Sequence, residues 1–344
     1  MANTPIESLD FDELKNSLKD YLRGQEKFQD YDFEGSTMNI LLDLLAYNTH
    51  YQAFYANMVA NEAFLDSARK RNSVVSLGKH LSYIPRSRKA SRIGLNVKYK
   101  QPEDINQARS NIIRATSGAF ILPRGIRFSA KGPNSDTYVF NTLEDYRFDV
   151  VAGDLIARNV VAYEGTLKTD SFIVNTKDST QKFLLTDKNV DIDTIIVRVY
   201  ASVSDSRGIN ENWRRANDIT ELNGDSAAFF VQENQDGTWE IYFGDGIIGR
   251  ATENGNVIRA IYLSSSGATA NGVGSDETDL SPAFTDQTNT YEVTIVKDSL
   301  GFPVSSYGGE DPEDIDSIRF YAPRSYQAQE RAVTTNDYLA ILVS

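Results

Sequence analysis

One uninterrupted stretch, residues 36–66, constrains the fold of this chain more than any other feature. It runs for 31 residues without proline or glycine and begins directly after Gly35. This pattern predicts a helix capped by Ser36. At about 1.5 Å per residue the helix would be roughly 46 Å long, whereas helices in globular proteins average about 11–12 residues. We therefore expect one long helix to organise the N-terminal region.

The apolar residues of this helix form a wide band. One row of residues, spaced alternately by three and four positions, forms a ladder along the helix. Its apolar members are Leu41, Leu44, Tyr51, Tyr55, Met58 and Leu65, and it also passes through Asn48 and Glu62. A second row holds Met38, Leu42, Leu45 and Val59. Such a band fits several neighbours, so the helix is either buried in its own domain or shared with another subunit. The first 90 residues supply only two other helices, so we take the six ladder residues as candidate partner contacts.

Composition excludes several classes of protein. The 344 residues suffice for two or three domains. There is no cysteine and there are only two histidines, His50 and His80, so thiolate, disulfide and histidine-based metal or triad chemistry have little material. No apolar run approaches the ~18 residues of a membrane span, and the acidic N-terminus is unlike a secretory signal. We expect no metal, no cofactor and no membrane insertion.

Charge is unevenly distributed along the chain, whose net charge is −13. Residues 1–100 carry 14 basic and 12 acidic residues, and the remaining 244 carry 21 and 36. Between Ser67 and Pro102 there are ten basic residues and no acidic one. This basic segment is either a solvated face or a surface for an acidic partner, such as the acidic half of another copy. Nucleic acid is the weaker alternative, because no binding motif accompanies the charge.

The remaining pattern predicts an α+β fold. Residues 11–23 predict a helix with Asp10 and Glu13 in capping-box spacing and Gly24 at the end, and residues 70–83 predict another. From about residue 93 to 296 short Val, Ile, Tyr, Phe and Thr runs alternate with turn residues, which is typical of antiparallel strands. The candidate strands are residues 93–99, 119–122, 126–130, 138–142, 147–151, 172–175, 194–201, 228–232, 238–243, 257–263 and 291–296. No helices alternate with them, which argues against a doubly wound parallel sheet.

Three turns and one loop complete this middle region. Residues 123–125, Asp236-Gly237 and Asp245-Gly246 have hairpin composition, and residues 267–279 read as a long polar loop. Towards the end, Asp311 and Pro312 predict a helix that stops before Pro323, and a further helix begins near Thr334. Because the sequence ends inside that apolar helix, we expect more chain to follow in the native protein.

These patterns divide the chain into three regions. We predict a helical, bundle-forming region at 1–90, an antiparallel β-rich region at 91–306 that could hold two subdomains, and the beginning of a helical C-terminal arm at 307–344.

Two apparent ligand motifs lack the context that their chemistry needs. Residues 244–249 match G-x-G-x-x-G, but a strand pattern follows where a phosphate site requires a helix N-terminus. The Asp187, Asn189, Asp191 and Asp193 series resembles the start of a calcium loop, yet Ile192 stands where glycine is expected. The acidic residues 310–316 suit helix capping. We find no catalytic constellation and predict that the protein is not an enzyme.

Three stretches resemble the baseplate-J-like wedge proteins of contractile phage tails. The first is ILPRGIRF at residues 121–128, and the second is YFGDGIIG at 242–249 with ANGVG at 270–274. The third runs from GGED at 308–311 through Arg319 and Ala322-Pro323 to RAVTTNDY at 331–338. The stretch YNTHYQAFYANM at 47–58 with NEAFL at 61–65 is similar to the longer wedge subunit of T-even-type phages, whose C-terminal half has no counterpart here.

The resemblance implies a structural role in the virion. Such subunits pair with a second copy and with a large wedge partner whose helices join theirs in a bundle. Six wedges ring the hub and seat the sheath-initiating subunit, so that their rearrangement on host contact starts sheath contraction. The resemblance therefore implies a protein of the tail baseplate that is assembled in the host cytoplasm.

Three other functions are alternatives. A wedge of a related contractile injection machine, such as a tailocin, would differ in its genome neighbourhood. A glycan-binding tail protein would agree with the aromatic-rich β region and would bind sugars saturably. A cell-wall hydrolase would turn over peptidoglycan, but it would need an acid/base pair that we do not find.

Overall fold

The structure, a computed structural model, describes residues 10–28, 31–33, 35–99, 113–114, 120–132, 136–151, 154–178, 181–205, 213–216, 222–234, 236–274, 280–283, 291–301 and 303–328. The chain divides into two compact units. The helical unit comprises residues 1–84 and 314–344, and the β unit comprises residues 85–313. The observed architecture is α+β, as predicted.

The helical unit contains four described helices: α1 (Phe11–Arg23), α2 (Met38–Glu62), α3 (Arg71–His80) and α4 (Ile315–Ala328). Helix α1 packs against α2, and α3 packs against α4. The α3–α4 contact encloses a small core in which Val74, Val75 and Ile318 are buried. The predicted bounds of α1 are confirmed, and the Asp10 carboxylate accepts a hydrogen bond from the Asp12 amide at its start.

Helix α2 is shorter than predicted at both ends. Thr37, not Ser36, occupies the N-cap position, and its side chain makes no capping hydrogen bond. The helix ends at Glu62, whose carboxylate accepts hydrogen bonds from the Arg69 and Lys70 amides. Burial alone would raise the pKa of Glu62, but hydrogen bonds from Ser73 and these two amides lower it. The carboxylate therefore holds the turn between α2 and α3 in its charged form.

Helix α4 departs from the prediction at both ends. It begins at Ile315, and the Asp314 carboxylate, rather than Asp311, caps it by accepting from the Ser317 amide at 2.6 Å. It then continues through Pro323 to Ala328. A proline inside a helix costs about 3 kcal/mol, and burial of Ala322 and Ala328 on the same helix offsets part of that cost. The helix predicted near Thr334 lies outside the described residues.

The β unit contains seventeen described strands. They are β1 (Arg92–Tyr99), β2 (Ile113–Arg114), β3 (Phe120–Leu122), β4 (Arg127–Lys131), β5 (Thr137–Thr142), β6 (Tyr146–Arg147), β7 (Asp149–Val151), β8 (Asp154–Glu164), β9 (Thr166–Ile173), β10 (Phe183–Leu184), β11 (Val190–Tyr200), β12 (Arg214–Arg215), β13 (Ala228–Glu233), β14 (Trp239–Phe243), β15 (Val257–Ser264), β16 (Leu280–Ala283) and β17 (Tyr291–Ile295). The pairings are antiparallel except for that of β12 with β13.

A curled sheet of seven strands forms the first half of the β unit. Its order is β16-β4-β5-β8-β1-β17, with β7 added beside β8, and the end strands β16 and β17 also contact each other. Alternate residues of β1, from Ile93 to Tyr99, point into its core and are almost completely buried. Phe128 and Phe140 from β4 and β5 fill the same core. A small sheet of β2, β3 and β6 lies beside it.

Two sheets share the second core of the β unit. The order of the first is β11-β15-β9 and that of the second is β10-β14-β13-β12. Val197 and Ile258 from the first sheet meet Phe229, Val231 and Ile241 from the second. The alternating patterns of these strands therefore bury one face of each sheet against the other.

The longest strand that the sequence analysis missed is β8, a central strand of the curled sheet. Asn159 in this strand adopts φ +54, and the pairing with β1 shifts between Leu95 and Val97. This bulge places Arg158 and Asn159 at the surface in mid-strand, so the apolar alternation changes phase there. The pattern no longer resembles one strand, although the backbone continues as one.

Only one of the three predicted hairpins is a hairpin. Asp236-Gly237 connects β13 to β14, which pair from Phe229 to Glu233, and Gly237 has φ +73. At residues 123–125 the prediction is wrong because β3 pairs with β2 and β6, whereas β4 pairs with β5 and β16. Asp245-Gly246 likewise connects β14 to a loop and not to a paired strand. Composition identifies a turn, but the pairing depends on distant strands.

The predicted polar loop at 267–279 is also partly wrong. Its first residues form a short 3-10 helix, Gly267–Ala270. Val273 is completely buried in the core of the curled sheet. Residues 275–279 lie outside the described part of the chain.

Candidate interaction surface

Helix α2 has one covered side and one exposed apolar side. Leu42 and Ala46 are buried on the covered side, and α1 packs against this helix. Lys15 of α1 forms an ion pair with Asp43 at 2.5 Å. The contact with α1 therefore uses only part of the apolar band that the sequence predicts.

The exposed side, which we call the α2 face, carries nine large apolar residues. They are Ile40, Leu41, Leu44, Leu45, Tyr47, Tyr51, Phe54, Tyr55 and Val59. At 100° per residue they cover about 180° of the helix circumference, whereas one neighbour occupies a stripe of roughly 100°. Solvent-exposed apolar area of this extent is typical of an interaction site.

The structure does not bring all six predicted contact residues to one exposed surface. Leu41, Leu44, Tyr51 and Tyr55 lie together on the α2 face, with exposures of 55, 64, 43 and 55%. Met58 is half-buried. Leu65 lies beyond the end of α2 and packs against the α3–α4 core. The first four are thus available to a partner in the described structure, whereas Leu65 contributes to the stability of its own unit.

Sequence reasoning missed five members of the α2 face as contact candidates. Ile40, Tyr47 and Phe54 fall outside both apolar rows, and Leu45 and Val59 belong to the second row rather than to the ladder of predicted contacts. Their angular position could have shown the omission, because all five fall on the half of the helix opposite Leu42 and Ala46. A single row with 4-3 spacing covers only a narrow stripe of the helix and therefore cannot include all residues of the α2 face.

Aromatic rings lie next to one another along the middle of the α2 face. The ring centroids of Tyr47 and Tyr51 are 5.0 Å apart, and those of Tyr51 and Tyr55 are 5.6 Å apart. A hydrogen bond with Tyr51 raises the pKa of Tyr47. From Leu44 to Asn61 the helix contains no Asp, Glu, Lys or Arg. The face therefore offers packing surface and hydroxyl groups, but no charge to a partner.

Three residues of the basic segment form ion pairs within the chain. Arg86 forms an ion pair with Glu310 at 3.6 Å and Arg88 with Asp311 at 3.7 Å. The Lys98 ammonium lies 2.7 Å from a carboxylate of β8. These acids belong to the same unit, so they supply at least part of the acidic surface for which a separate partner was the expectation.

The apparent ligand motifs have structural roles. In the 244–249 loop the Asp245 carboxylate accepts hydrogen bonds from the Ile247 and Ile248 amides, which lower its pKa, and no helix follows. Asp191 accepts from the Ala90 amide, and Asp193 pairs with Arg215. Within the described residues no group of three or more His, Asp or Glu side chains could hold a metal ion. No helix in this part of the chain is long and apolar enough to cross a membrane.

Comparisons with known proteins match both the N-terminal helices and the chain as a whole. Residues 10–83, which contain α1, α2 and α3, match the family model described as "Baseplate wedge protein gp6-like, helical domain". The chain is 31% identical over 350 residues to "Baseplate wedge protein gp6" of Enterobacteria phage T4. That match covers 95% of this chain and 48% of the relative, so the chain spans about half the length of the protein that it matches. The resemblance drawn from the motifs is thereby confirmed: along nearly its whole length this chain is a relative of a baseplate wedge protein of a contractile-tailed phage.

Proposed function

We propose that this chain is a non-enzymatic structural subunit of a phage tail baseplate wedge and that the α2 face joins it to other wedge proteins. One observation carries this proposal. Nine large apolar residues of α2, which carries no Asp, Glu, Lys or Arg from Leu44 to Asn61, remain exposed after α1 has packed against this helix. The name of the T4 relative supports the assignment to a baseplate.

The driving force would be burial of the α2 face. Apolar surface removed from water contributes about 25 cal/mol per Å², less the costs of association and of ordering side chains. Obligate interfaces commonly bury more than ~2,000 Å². A half-circumference apolar surface is wide enough for more than one partner helix, so we infer that α2 becomes an inner helix of an inter-chain bundle.

The partners belong to the proposal. They are a second copy of this chain, a large wedge partner with helical segments, and, through the ring of six wedges, the sheath-initiating subunit and other baseplate proteins. In this view the protein is assembled in the host cytoplasm, resides in the virion baseplate and links baseplate rearrangement to sheath contraction. The basis is the resemblance to wedge subunits together with the exposed α2 face.

The test places charge on the α2 face. We expect Leu44→Asp with Tyr55→Asp to abolish co-assembly when the chain is co-expressed with the products of neighbouring tail genes, because each carboxylate would have to be buried without a partner. Both positions are exposed, so the isolated chain should still fold. Met58 is a poorer choice than Tyr55 because it is half-buried.

A matched control separates charge from position. His50 is exposed and, at 100° per residue, lies about 40° beyond the edge of the α2 face, so His50→Asp places a carboxylate in the same helix outside the nine residues of the proposed interface. We expect this variant to co-assemble normally by size-exclusion chromatography with light scattering. A normal complex formed by the Leu44/Tyr55 double variant would refute the proposal.

A further inference from the structure

A ribbon of two short segments, residues 86–92 and 307–313, lies where the chain leaves the β unit. Backbone groups of the two segments pair in one antiparallel register at every third residue, and the hydrogen bonds measure 2.9 to 3.1 Å. At the outermost pair the Arg86 amide donates to the Glu313 side-chain carboxylate instead of to the Glu313 backbone carbonyl. The three pairs are Arg92 with Tyr307, Lys89 with Glu310, and Arg86 with Glu313.

Side chains of the β unit anchor the 307–313 segment. The Asn271 side chain donates to the Gly309 carbonyl and accepts from the Gly309 amide, both at 2.9 Å, and so replaces a missing strand. Ser306 donates to the Ala270 carbonyl at 2.6 Å and accepts from the Val273 amide at 2.9 Å. Residues 270–274 and 308–311, two of the stretches that carry the family resemblance, therefore meet at this ribbon.

The other segment is anchored to β11. The buried Asp191 carboxylate accepts from the Ala90 amide at 2.8 Å, and the Ser87 hydroxyl accepts from the Ile192 amide at 3.1 Å. Glu313, at the outer end of the ribbon, is only 4% exposed. Both segments are thus held by the β unit and by each other.

Close backbone packing leaves no room for side chains at the centre of the ribbon. A Cβ atom on Gly309 would lie 2.4 Å from the Gly267 carbonyl oxygen and 3.0 Å from the Asn271 side-chain oxygen. A Cβ atom on Gly267 would lie 2.9 Å from the Glu310 carbonyl oxygen. A substitution at either glycine must therefore displace backbone, which makes the ribbon sensitive to a single methyl group.

Both covalent connections between the two units begin at the outer end of this ribbon. One is the peptide bond that follows Ile84, and the other is the peptide bond that follows Glu313. We propose that the ribbon is a two-stranded joint, which ties the two connections together so that a load applied to the helical unit enters the β unit through both strands at once. This inference rests on the proposed function only for the origin of the load, which would be the partners bound to the α2 face.

The physical reason is that the pairing prevents either strand from extending separately. A single connecting strand would be drawn out residue by residue, because each hydrogen bond contributes only about 1 kcal/mol. Here the hydrogen bonds of both strands, the Asn271 anchor and the Asp191 anchor must open together. The joint should therefore behave as one cooperative element of the β unit.

Hydrogen–deuterium exchange of the purified full chain, followed by mass spectrometry, tests the joint without any partner. We expect the hydrogen-bonded amides of both segments to be protected in the native protein, namely those of Arg86, Lys89, Ala90, Arg92, Tyr307, Gly309, Glu310 and Glu313. In Gly309→Ala we expect the protection factors of both segments to fall together, by about 100-fold, while those of α1 and α2 are unchanged. Gly255→Ala is the control: at φ +86 it also strains the backbone of the β unit, but its Cβ meets nothing within 4 Å and it lies outside the ribbon, so both segments should stay protected.

A second variant distinguishes a joint of the β unit from a segment that depends on the helices. Ile318→Ala weakens the α3–α4 core and should speed exchange in α3 and α4 while both ribbon segments stay protected. The proposal is overturned if either segment exchanges rapidly in the native chain, if one loses protection without the other in Gly309→Ala, or if both lose protection with α3 and α4. None of these outcomes depends on whether the chain assembles into a wedge.

Discussion

At the scale of single residues, Asp191 shows how an acidic residue that resembles a calcium ligand can serve the fold. Its two carboxylate oxygens accept from the Ala90 and Asp193 amides. Burial raises its pKa to about 6, and the negative charge of Asp193 acts in the same direction. The hydrogen bonds and the positive charge of Lys89 oppose this shift without cancelling it. At neutral pH the Asp191 carboxylate is therefore ionised, and its burial in the charged form lowers the stability of the folded state.

This cost predicts an unusual pH dependence. Because the folded-state pKa lies above the unfolded value of about 3.9, the folded β unit binds this proton more tightly, and the contribution of Asp191 to stability increases as pH falls from about 6 to about 4. A shift of about two pKa units corresponds to roughly 3 kcal/mol. We expect urea denaturation at pH 4 and pH 7 to show that Asp191→Asn removes this pH-dependent contribution to the free energy of unfolding.

Asp187 provides the control of opposite sign. Burial alone would raise the pKa of Asp187, but the Lys168 ammonium, the Asn189 amide and the Ser264 hydroxyl lower it. Its contribution to stability is therefore present at neutral pH and is lost as the pH falls through its lowered pKa. If Asp187→Asn and Asp191→Asn change the pH dependence in the same direction, the explanation for Asp191 is wrong.

At the scale of elements, α4 stabilises the turn between α2 and α3 through one side chain. The Arg319 guanidinium donates to the Leu65 carbonyl at 3.2 Å and to the Ala68 carbonyl. The same group forms an ion pair with Asp316 at 2.6 Å, but the Asp316 side chain is 88% exposed. The two backbone contacts therefore matter more to the fold than the ion pair. They connect segments that are some 250 residues apart in sequence.

We expect Arg319→Met to destabilise the helical unit by about 2 kcal/mol, because two partly buried carbonyl groups lose a charged donor. Asp316→Ala removes only the exposed ion pair and should cost less than about 0.5 kcal/mol. Thermal unfolding followed by far-ultraviolet circular dichroism measures both. Equal losses for the two variants would show that the ion pair, rather than the turn, accounts for the role of Arg319.

At the scale of the whole molecule, each unit has hydrophobic cores of its own. The core between α3 and α4 uses residues from both ends of the chain, including Val74 and Ile318. The β unit has two cores, one centred on residues such as Phe140 and another that includes Ile241. Since each of these three cores is built from residues of one unit, the stability of each unit should be measurable separately.

Calorimetry of the full chain should therefore show two transitions. We expect Phe140→Ala to lower the transition of the β unit, at a cost of about 3–5 kcal/mol, and to leave the other in place. Ile318→Ala should lower the transition of the helical unit alone, at a cost of about 2–5 kcal/mol. A single transition that moves equally in both variants would show that the units unfold together.

Local patterns were sufficient for the features that depend on neighbouring residues. The bounds of α1, the existence of α2 and the antiparallel β character all follow from periodicity and capping, because these act within one or two turns of chain. The width of the apolar band on α2 also correctly indicated more surface than α1 covers. The wedge family follows from the motifs in the same way, because each motif is a short run of residues and their order along the chain is specific.

Tertiary structure alone decided the features that depend on distant partners. The sequence could not show that β8 lies at the centre of the curled sheet, because the bulge at Asn159 interrupts its alternation and only the pairing with β1 restores it. Nor could it show that Pro323 lies inside a helix, that Leu65 belongs to the α3–α4 core, or that residues 86–92 pair with 307–313. In each case the deciding contact joins segments far apart in the chain, and a local pattern carries no information about which distant segment supplies it.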